Sequence, residues 1–319
     1  MSLQSLKPLQ IGVVMDSIQS ITIEKDTTFA ILLEAMRRHF TIHYMEIKDL
    51  FLQNGDALAT TQLLTVQDDS SDWFSLGQKQ TIDLGSLDFI FMRKDPPVDL
   101  AYIHTTQLLS LAQQKGARVV NNPQSLRDAN EKLFATHFPH CMPPTLVSSQ
   151  EKQLIAFIHE QHDIVIKPLD GMGGENIFRV QEHDSNTRVI IENLTQKGQT
   201  MVMAQRYIPE IRQGDKRILL INGEPIPYAL ARIPLAGETR GNLAAGGQGV
   251  GVELTARDRW ICEQIAPQLR AMGLWFVGID VIGDYLTEIN ITSPTCVRQL
   301  DKHYQLNIAG QLFDALIKH

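Results

Sequence analysis

Cysteine is scarce in this 319-residue chain: Cys141, Cys262 and Cys296 are odd in number, far apart and never spaced as C-x-x-C. That excludes a disulfide framework and a zinc-finger-type site, and it leads us to expect a protein of the reducing cytoplasm. Long hydrophobic runs are missing as well. No apolar stretch approaches the ~18 residues a membrane span needs. The short run near the N-terminus lacks the length and cleavage site of a secretory signal. Positive charge is in deficit, with 29 Lys plus Arg against 36 Asp plus Glu and a net charge of −7. Such a balance argues against a chain that grips nucleic-acid backbone non-specifically. There is no internal repeat, no low-complexity tract, and no G-x-S-x-G, H-E-x-x-H or H-R-D motif. What remains is an ordinary globular composition, 43% hydrophobic and 20% charged, enough for about two domains with cores of their own.

Strand and helix signals alternate through the first third. Gln10 to Met15 is a short apolar run, Asp26 or Thr27 can cap a helix through FAILLEAMRRHF, and Thr41 to Ile47 returns as a strand. Leu87 to Met92, a helix over Ala101 to Lys115, and a strand over Ala117 to Asn121 follow, which predicts a Rossmann-like parallel sheet. Residues 54–87 are weakly patterned and carry no fold assignment. Asn122 and Pro123 punctuate the start of a second unit, where Ser125 is a plausible cap for a helix reaching Leu133; another helix lies near Glu151 to His162. From Ile164 the pattern switches to DIVIKP, IFRV, VIIENL, MVMAQRY, RILLING and PYALARI, read as six antiparallel strands. A helix from about Ala256 to Met272 opens with a Thr255–Asp258 capping box, the strands WFVGIDVI and LTEINI come next, and a last helix spans Ile308 to Lys318.

Three segments carry chemistry. Lys167-Pro168-Leu169-Asp170-Gly171-Met172-Gly173-Gly174 sits between two strands, so it is the tip of a hairpin rather than a P-loop or dinucleotide fingerprint. Its glycines let backbone N–H groups turn toward an anion, and the lysine adds a point charge. Second, Glu288 and Asn290 share a strand face. Asp280 joins that face if the turn near Asp284 has an odd number of residues, whereas a two-residue turn at Gly283-Asp284 would put it on the wrong side. Two carboxylates and an amide oxygen suit Mg²⁺ shared with substrate phosphates. Third, residues 234–251 hold six glycines and Arg240, follow Arg232, and lie one strand after Arg217, as a lid closing over phosphates or carboxylates would. His159 and His162 lack a third ligand and read as a solvated face. Cys296 reads as a packed thiol, and a substrate role for Arg93 and Lys94 is not separable from a structural ion pair.

Taken together, NEKLF, VIKPLDGMGGENIFRV, AQRYIP, GDKRIL, ARIPLAGETRGNLAAGG and TEINITSPT resemble the bacterial glutathione synthetases of the ATP-grasp superfamily. IGVVMD, MRKDPP and NNPQSLRD extend the resemblance nearly end to end. It implies an α/β (α+β) ATP-grasp fold: an N-terminal pre-ATP-grasp domain over 1–124, a small subdomain over 125–202, and a C-terminal subdomain over 203–319 with a lid at 234–251. It implies ATP-dependent ligation of γ-glutamylcysteine to glycine in a homo-oligomer without nucleic-acid or membrane partners. The cofactor would be Mg²⁺, or Mn²⁺ in its place, with ATP as co-substrate. Carried over by position, Lys132, Lys167, Gly171, Gly173 and Gly174 would bind ATP phosphates, and Gln205, Tyr207 and Ile208 would belong to the hinge that meets adenine. Asp280, Glu288 and Asn290 would hold the metal. Arg217 would steady the γ-phosphate, Arg232 and Arg240 would serve the substrate side and lid, and Ser293 would lie beside the reacting carboxylate. Gln248 departs from the arginine common at that point of the lid. On the residues alone, another ATP-grasp peptide ligase, of the D-alanine–D-alanine or amino-acid-adding type, remains the alternative, and a silent ATP-binding module a third reading.

Overall fold

The structure is a computed structural model and describes residues 7–235, 241 and 246–319. The first sheet is built as the apolar runs demand. Strand β1 (Gln10–Val14) lies between β2 (Thr41–Met45) and a later strand at Phe89–Met92, parallel to both. Helix α1 (Thr27–Arg37) joins β1 to β2, and the Asp26 carboxylate caps it by accepting the Phe29 N–H at 2.6 Å. Residues 54–87 turn out to be sheet. Strands β3 (Leu50–Gln53), β4 (Asp56–Val66) and β5 (Phe74–Asp83) run antiparallel, with β4 joined to β2. With β6 (Phe89–Met92) and β7 (Arg118–Val120) they make a seven-stranded mixed sheet, in place of the all-parallel one expected. The hairpin was hard to see because β5 pairs only with β4 and is largely exposed, so burial imposes no apolar alternation on it. Helix α2 (Leu100–Gln114) packs on this sheet through Tyr102 and Leu109.

The connector differs from expectation in a way that matters for the site. Helix α3 (Pro123–Asp128) is capped by Asn122, whose Oδ1 accepts the Gln124 and Ser125 N–H groups, and Ser125 lies inside it. The helix stops before Asn130. There the Asn130 side chain takes the Lys132 and Leu133 N–H groups at 3.1 and 3.0 Å, turning the chain and freeing Lys132 from a helix face.

A four-stranded antiparallel sheet follows, built from β8 (Thr145–Ser148), β9 (Asp163–Pro168), β10 (Phe178–Gln181) and β11 (Val202–Arg206), in the order β10-β9-β11-β8. VIIENL is not among its strands. It lies in helix α5 (Thr187–Leu194), which covers the sheet beside α4 (Glu151–Gln161). Its β-branched residues suggested a strand, but Ile191 is buried against the sheet while Val189 is exposed, the one-sided burial of a helix. This unit keeps its own core, around Leu154, Ile158, Ile164, Ile166 and Val180. Strand β11 spans the 202/203 division expected from the sequence.

The third sheet is antiparallel throughout: β12 (Asp215–Ile221), β13 (Glu224–Ile233), β14 (Gln248–Glu253), β15 (Phe276–Ile282) and β16 (Tyr285–Asn290), in the order β14-β13-β12-β15-β16. Helix α6 (Ala256–Ala271) opens with the Thr255–Asp258 capping box. A short helix α7 (Val297–Tyr304), absent from the sequence reading, precedes α8 (Ile308–Lys318). Ile218, Val277, Ile279, Val281 and Ile289 fill one core cluster with Val14, Ile90 and Met92 of the first sheet. On the opposite face of the third sheet Leu219, Ile221, Leu230 and Phe276 join a second core cluster with Ile11 and Phe91, and the remainder carries polar residues.

Candidate active site

Cross-strand register assembles that polar face. Asp215 and Arg217 are two apart on β12; Arg217 pairs opposite Asp280 on β15, Asp215 opposite Arg232 on β13, and Asp280 opposite Glu288 on β16. The turn between β15 and β16 is the two-residue Gly283-Asp284 form, which should have turned Asp280 away. A bulge corrects it: Val281 pairs with Leu286, Asp280 with Glu288, and the extra residue Thr287 shifts the register by one. Both carboxylates therefore share one face, and Val277, Ile279, Val281, Ile289 and Ile291 are all buried on the other side.

The face is a buried charge lattice. Arg217 grips Asp280 through two bonds, Nε to Oδ1 at 2.6 Å and Nη2 to Oδ2 at 3.1 Å. Arg232 Nη2 reaches Asp215 Oδ2 at 2.6 Å and Asp280 Oδ2 at 2.9 Å. Burial alone would raise the Asp280 carboxyl, but the two guanidinium groups outweigh it and hold it well below the usual carboxylate range. For Asp215 burial wins over the pull of Arg232 and pushes the carboxyl up. Gly278 makes room for Arg217, since a Cβ there would stand 2.9 Å from the arginine Cδ.

The glycine hairpin comes down onto this face. Gly173 and Gly174 have φ of +69° and +83°, which residues with a Cβ rarely adopt. Lys132 Nζ donates to the Gly171 carbonyl at 2.8 Å and pairs with Glu288 Oε1 at 3.0 Å, tying connector, hairpin and β16 together. Lys167 Nζ lies 3.4 Å from the Thr287 carbonyl, and burial pushes its ammonium down despite Glu288 nearby. The result is a cleft of roughly 1000 Å³ lined by Lys132, Lys167, Gly171, Gly173, Gly174, Asp280 and Glu288. Gln205, Tyr207 and Ile208 form its far wall. Gln205 donates to Thr145 Oγ1 at 3.1 Å, while the Arg206 and Tyr207 amides are engaged by the Pro144 and Asp163 carbonyls. Arg179 lies over the Tyr207 ring at 3.8 Å.

A second compartment of about 810 Å³ adjoins the first and shares Gly171, Gly173 and Glu288 with it. Arg217, Arg232, Asn290 and Ser293 line it, and Asp95 and Pro96 of the first unit close its side. Ser293 Oγ donates to the Arg93 carbonyl at 3.4 Å. Thus every expected site residue that is described lines one of two joined spaces; Arg240 and much of the 234–251 lid fall outside the described residues. Gln248 begins β14, opposite Ile233.

Mg²⁺ shared with phosphates needs only one or two carboxylates. Glu288 supplies one, beside Asn290, whose side-chain oxygen is the kind of hard ligand such a cation takes. Asp280 lies beside them but has both oxygens engaged by guanidinium groups. The set fits a hard cation. Among the described residues no group of three His, Cys, Asp or Glu side chains is arranged as a metal site. His159 and His162 are exposed, each bonded to Glu182. Arg93 is buried, donating to Thr28 Oγ1 and the Pro294 carbonyl at 3.0 Å each, and Lys94 pairs with Asp16. Two site residues were missed. Asp215 was legible, two residues before Arg217 in GDKRIL. Glu131 was not, because its contacts are all with β16 and the turn after it.

A glycine hairpin and an antiparallel sheet closing on one polar cleft define an ATP-grasp ligase. Comparison with solved structures agrees in fold. D-cycloserine synthetase DcsG superposes with a TM-score of 0.66 at 15% identity, covering 97% of this chain and 99% of that one. A Chryseobacterium gregarium RiPP-associated ATP-grasp ligase gives 0.65 at 16% identity, covering 97% of each. Residues 9–127 match the family described as "Prokaryotic glutathione synthetase, N-terminal domain", and residues 131–305 match "Prokaryotic glutathione synthetase, ATP-grasp domain". Curated relatives named glutathione synthetase include that of Coxiella burnetii, 56% identical over 95% of this chain and 94% of its own length. That of Pseudomonas aeruginosa is 54% identical over 97% of both. The chain belongs to the prokaryotic glutathione synthetase family.

Proposed function

We propose that this protein joins γ-glutamylcysteine to glycine at the expense of ATP, through an acyl phosphate, to give glutathione, ADP and phosphate. One observation carries the chemistry: Lys132 and Lys167 share a single cleft with Glu288, and that cleft opens into a second space lined by Arg217 and Arg232. Near-full-length likeness to proteins named glutathione synthetase supports these substrates over those of the D-alanine–D-alanine type.

A carboxylate acylates poorly, so one of its oxygens must first take the γ-phosphoryl of ATP. Lys132, Lys167 and the hairpin amides would hold the phosphates, with Ile208 and its hinge neighbours against the base. Arg217 would steady the transferring phosphoryl, exchanging part of its grip on Asp280 for phosphate oxygens. Arg232 and the lid arginine Arg240 would hold substrate carboxylates, with Ser293 beside the reacting one. Glu288 and Asn290, with Asp280 behind them, would hold Mg²⁺, which supplies charge neutralisation on the phosphate oxygens; Mn²⁺ has the same charge and oxygen preference. The glycine ammonium gives up a proton to water and its nitrogen attacks the acyl carbon; the C–N bond forms, the bond to the phosphate oxygen breaks with inorganic phosphate as leaving group, and a second proton leaves the nitrogen. No nucleophilic side chain is required. The three cysteines are free and buried, as suits a cytoplasmic protein; the homo-oligomer rests on the resemblance alone, and size-exclusion chromatography tests it. ADP release with γ-glutamylcysteine plus glycine, set against D-alanine, decides the substrates. No turnover with the first pair would sink the assignment.

A further inference from the structure

Glu131 stands where the connector meets the end of β16. Its backbone carbonyl accepts the Ile289 N–H at 2.9 Å. Its Oε1 accepts three more bonds: the Ile291 N–H at 2.8 Å, and the Thr292 N–H and hydroxyl at 2.9 Å each. These bonds lock the carboxylate onto the segment that carries Asn290 and Ser293. Its other oxygen, Oε2, has no hydrogen-bond partner among the described residues, and the carboxylate has no ion-pair partner there either. The cations that could serve it are engaged elsewhere: Lys132 by Glu288, Arg217 by Asp280, and Arg232 by Asp215 and Asp280. Yet Glu131 lines the second compartment with Arg217, Asn290 and Ser293. A carboxylate fixed through one oxygen, with the other open to a cavity, is a pre-organised receptor for a cation.

The reaction brings such a cation to this place. The acceptor amino acid arrives as an ammonium ion and must lie against the acyl carbon, next to Glu288 and Asn290 where phosphoryl transfer occurs. Its own carboxylate has guanidinium groups to meet; of the three carboxylates among the described residues lining this compartment, Glu288 is paired with Lys132, Asp95 belongs to the loop after β6, and Glu131 is the one bonded onto the segment that carries Asn290 and Ser293. We propose that Glu131 docks the ammonium group of the acceptor amino acid and sets its nitrogen against the reacting carbon, where the nitrogen gives up one proton to water before it attacks. This rests on the ligase reading above.

Glu131→Gln tests it, because the amide oxygen can still take the bonds now made to Oε1 while the charge is gone. Glycine is compared with hydroxylamine, an acceptor that is uncharged near neutral pH and needs no anionic dock, each with γ-glutamylcysteine and Mg²⁺-ATP. The variant should raise KM for glycine by about tenfold or more while leaving KM for ATP, and hydroxamate formation, within about twofold of the parent. Equal loss with both acceptors would make Glu131 a purely structural brace and overturn the proposal, as would an unchanged KM for glycine. Should the Gln variant not fold, Glu131→Asp draws the charge back by one methylene, and the same split between acceptors is expected; equal loss again overturns it. An unmodified enzyme that turns over with neither acceptor would instead refute the ligase reading, and the dock with it.

Discussion

Asp280 and Glu288 face each other across one strand pair, yet their amide variants should fail in opposite ways. Asp280 is 3% exposed and anchors two guanidinium groups, at 2.6 and 2.9 Å. Asp280→Asn keeps the shape but removes the charge, leaving Arg217 and Arg232 to share only Asp215. Breaking a buried ion pair from one side costs about 3–5 kcal/mol, because the remaining charges stay buried without compensation. Glu288 pairs with a single lysine, and its side chain is 20% exposed. Glu288→Gln leaves one buried lysine, still bonded to the Gly171 carbonyl, and should cost less, about 1–3 kcal/mol of stability, while turnover falls at least about tenfold through loss of a metal ligand. Urea unfolding followed by tryptophan fluorescence reports on both, since Trp275 directly precedes β15 and Trp260 sits on α6. The pH dependence has a definite sign. Because the Asp280 carboxyl is depressed in the folded state, its stabilisation is present above the unfolded-state pKa and is lost as pH falls toward the folded value. Coincident urea midpoints for the two variants would refute the claim that the buried charge lattice braces this face.

Three further outcomes are expected. Gly173→Ala forces a Cβ onto a backbone at φ +69°, so KM for ATP should rise about tenfold, measured by ADP release, and the urea midpoint should fall by the equivalent of about 1–2 kcal/mol. Lys167→Met removes the buried charge that burial already disfavours; nucleotide affinity by calorimetry should fall by at least about tenfold while stability holds or improves. Burial pushes the Asp301 carboxyl up to about 6 from 3.8, against the Ile308 N–H it accepts. Ionising it in the folded state is thus unfavourable, and Asp301→Asn should gain stability over the parent progressively between pH 3.8 and about 6, with a constant advantage above. A difference that shrinks across that window would contradict the assignment.

Much of this site could be read from residue order, for a physical reason. Side-chain parity on a strand is local, so Glu288 and Asn290, or Asp215 and Arg217, fall on one face whatever the fold. Glycines at positive φ leave their mark as glycines, which is why the 171–174 hairpin was visible. What parity could not supply was register. The β16 bulge at Thr287 turned a two-residue turn that should have misplaced Asp280 into one that aligns it, and no local pattern announces an extra residue. VIIENL went wrong because β-branched residues outvoted a one-sided burial that only the sheet beneath reveals. The β4–β5 hairpin stayed hidden because an exposed edge strand is free of core constraints. Glu131 escaped because its role lies in bonds to residues roughly 160 positions away.

The central claim is that the joined cleft and compartment transfer the γ-phosphoryl of ATP onto a carboxylate oxygen before the amine attacks. The most direct measurement uses γ-glutamylcysteine carrying heavy oxygen in its cysteinyl carboxylate, with glycine and Mg²⁺-ATP, followed by mass analysis of the inorganic phosphate released. One labelled oxygen per phosphate is expected, with ADP as the nucleotide product. Phosphate free of label, or AMP in place of ADP, would contradict the account.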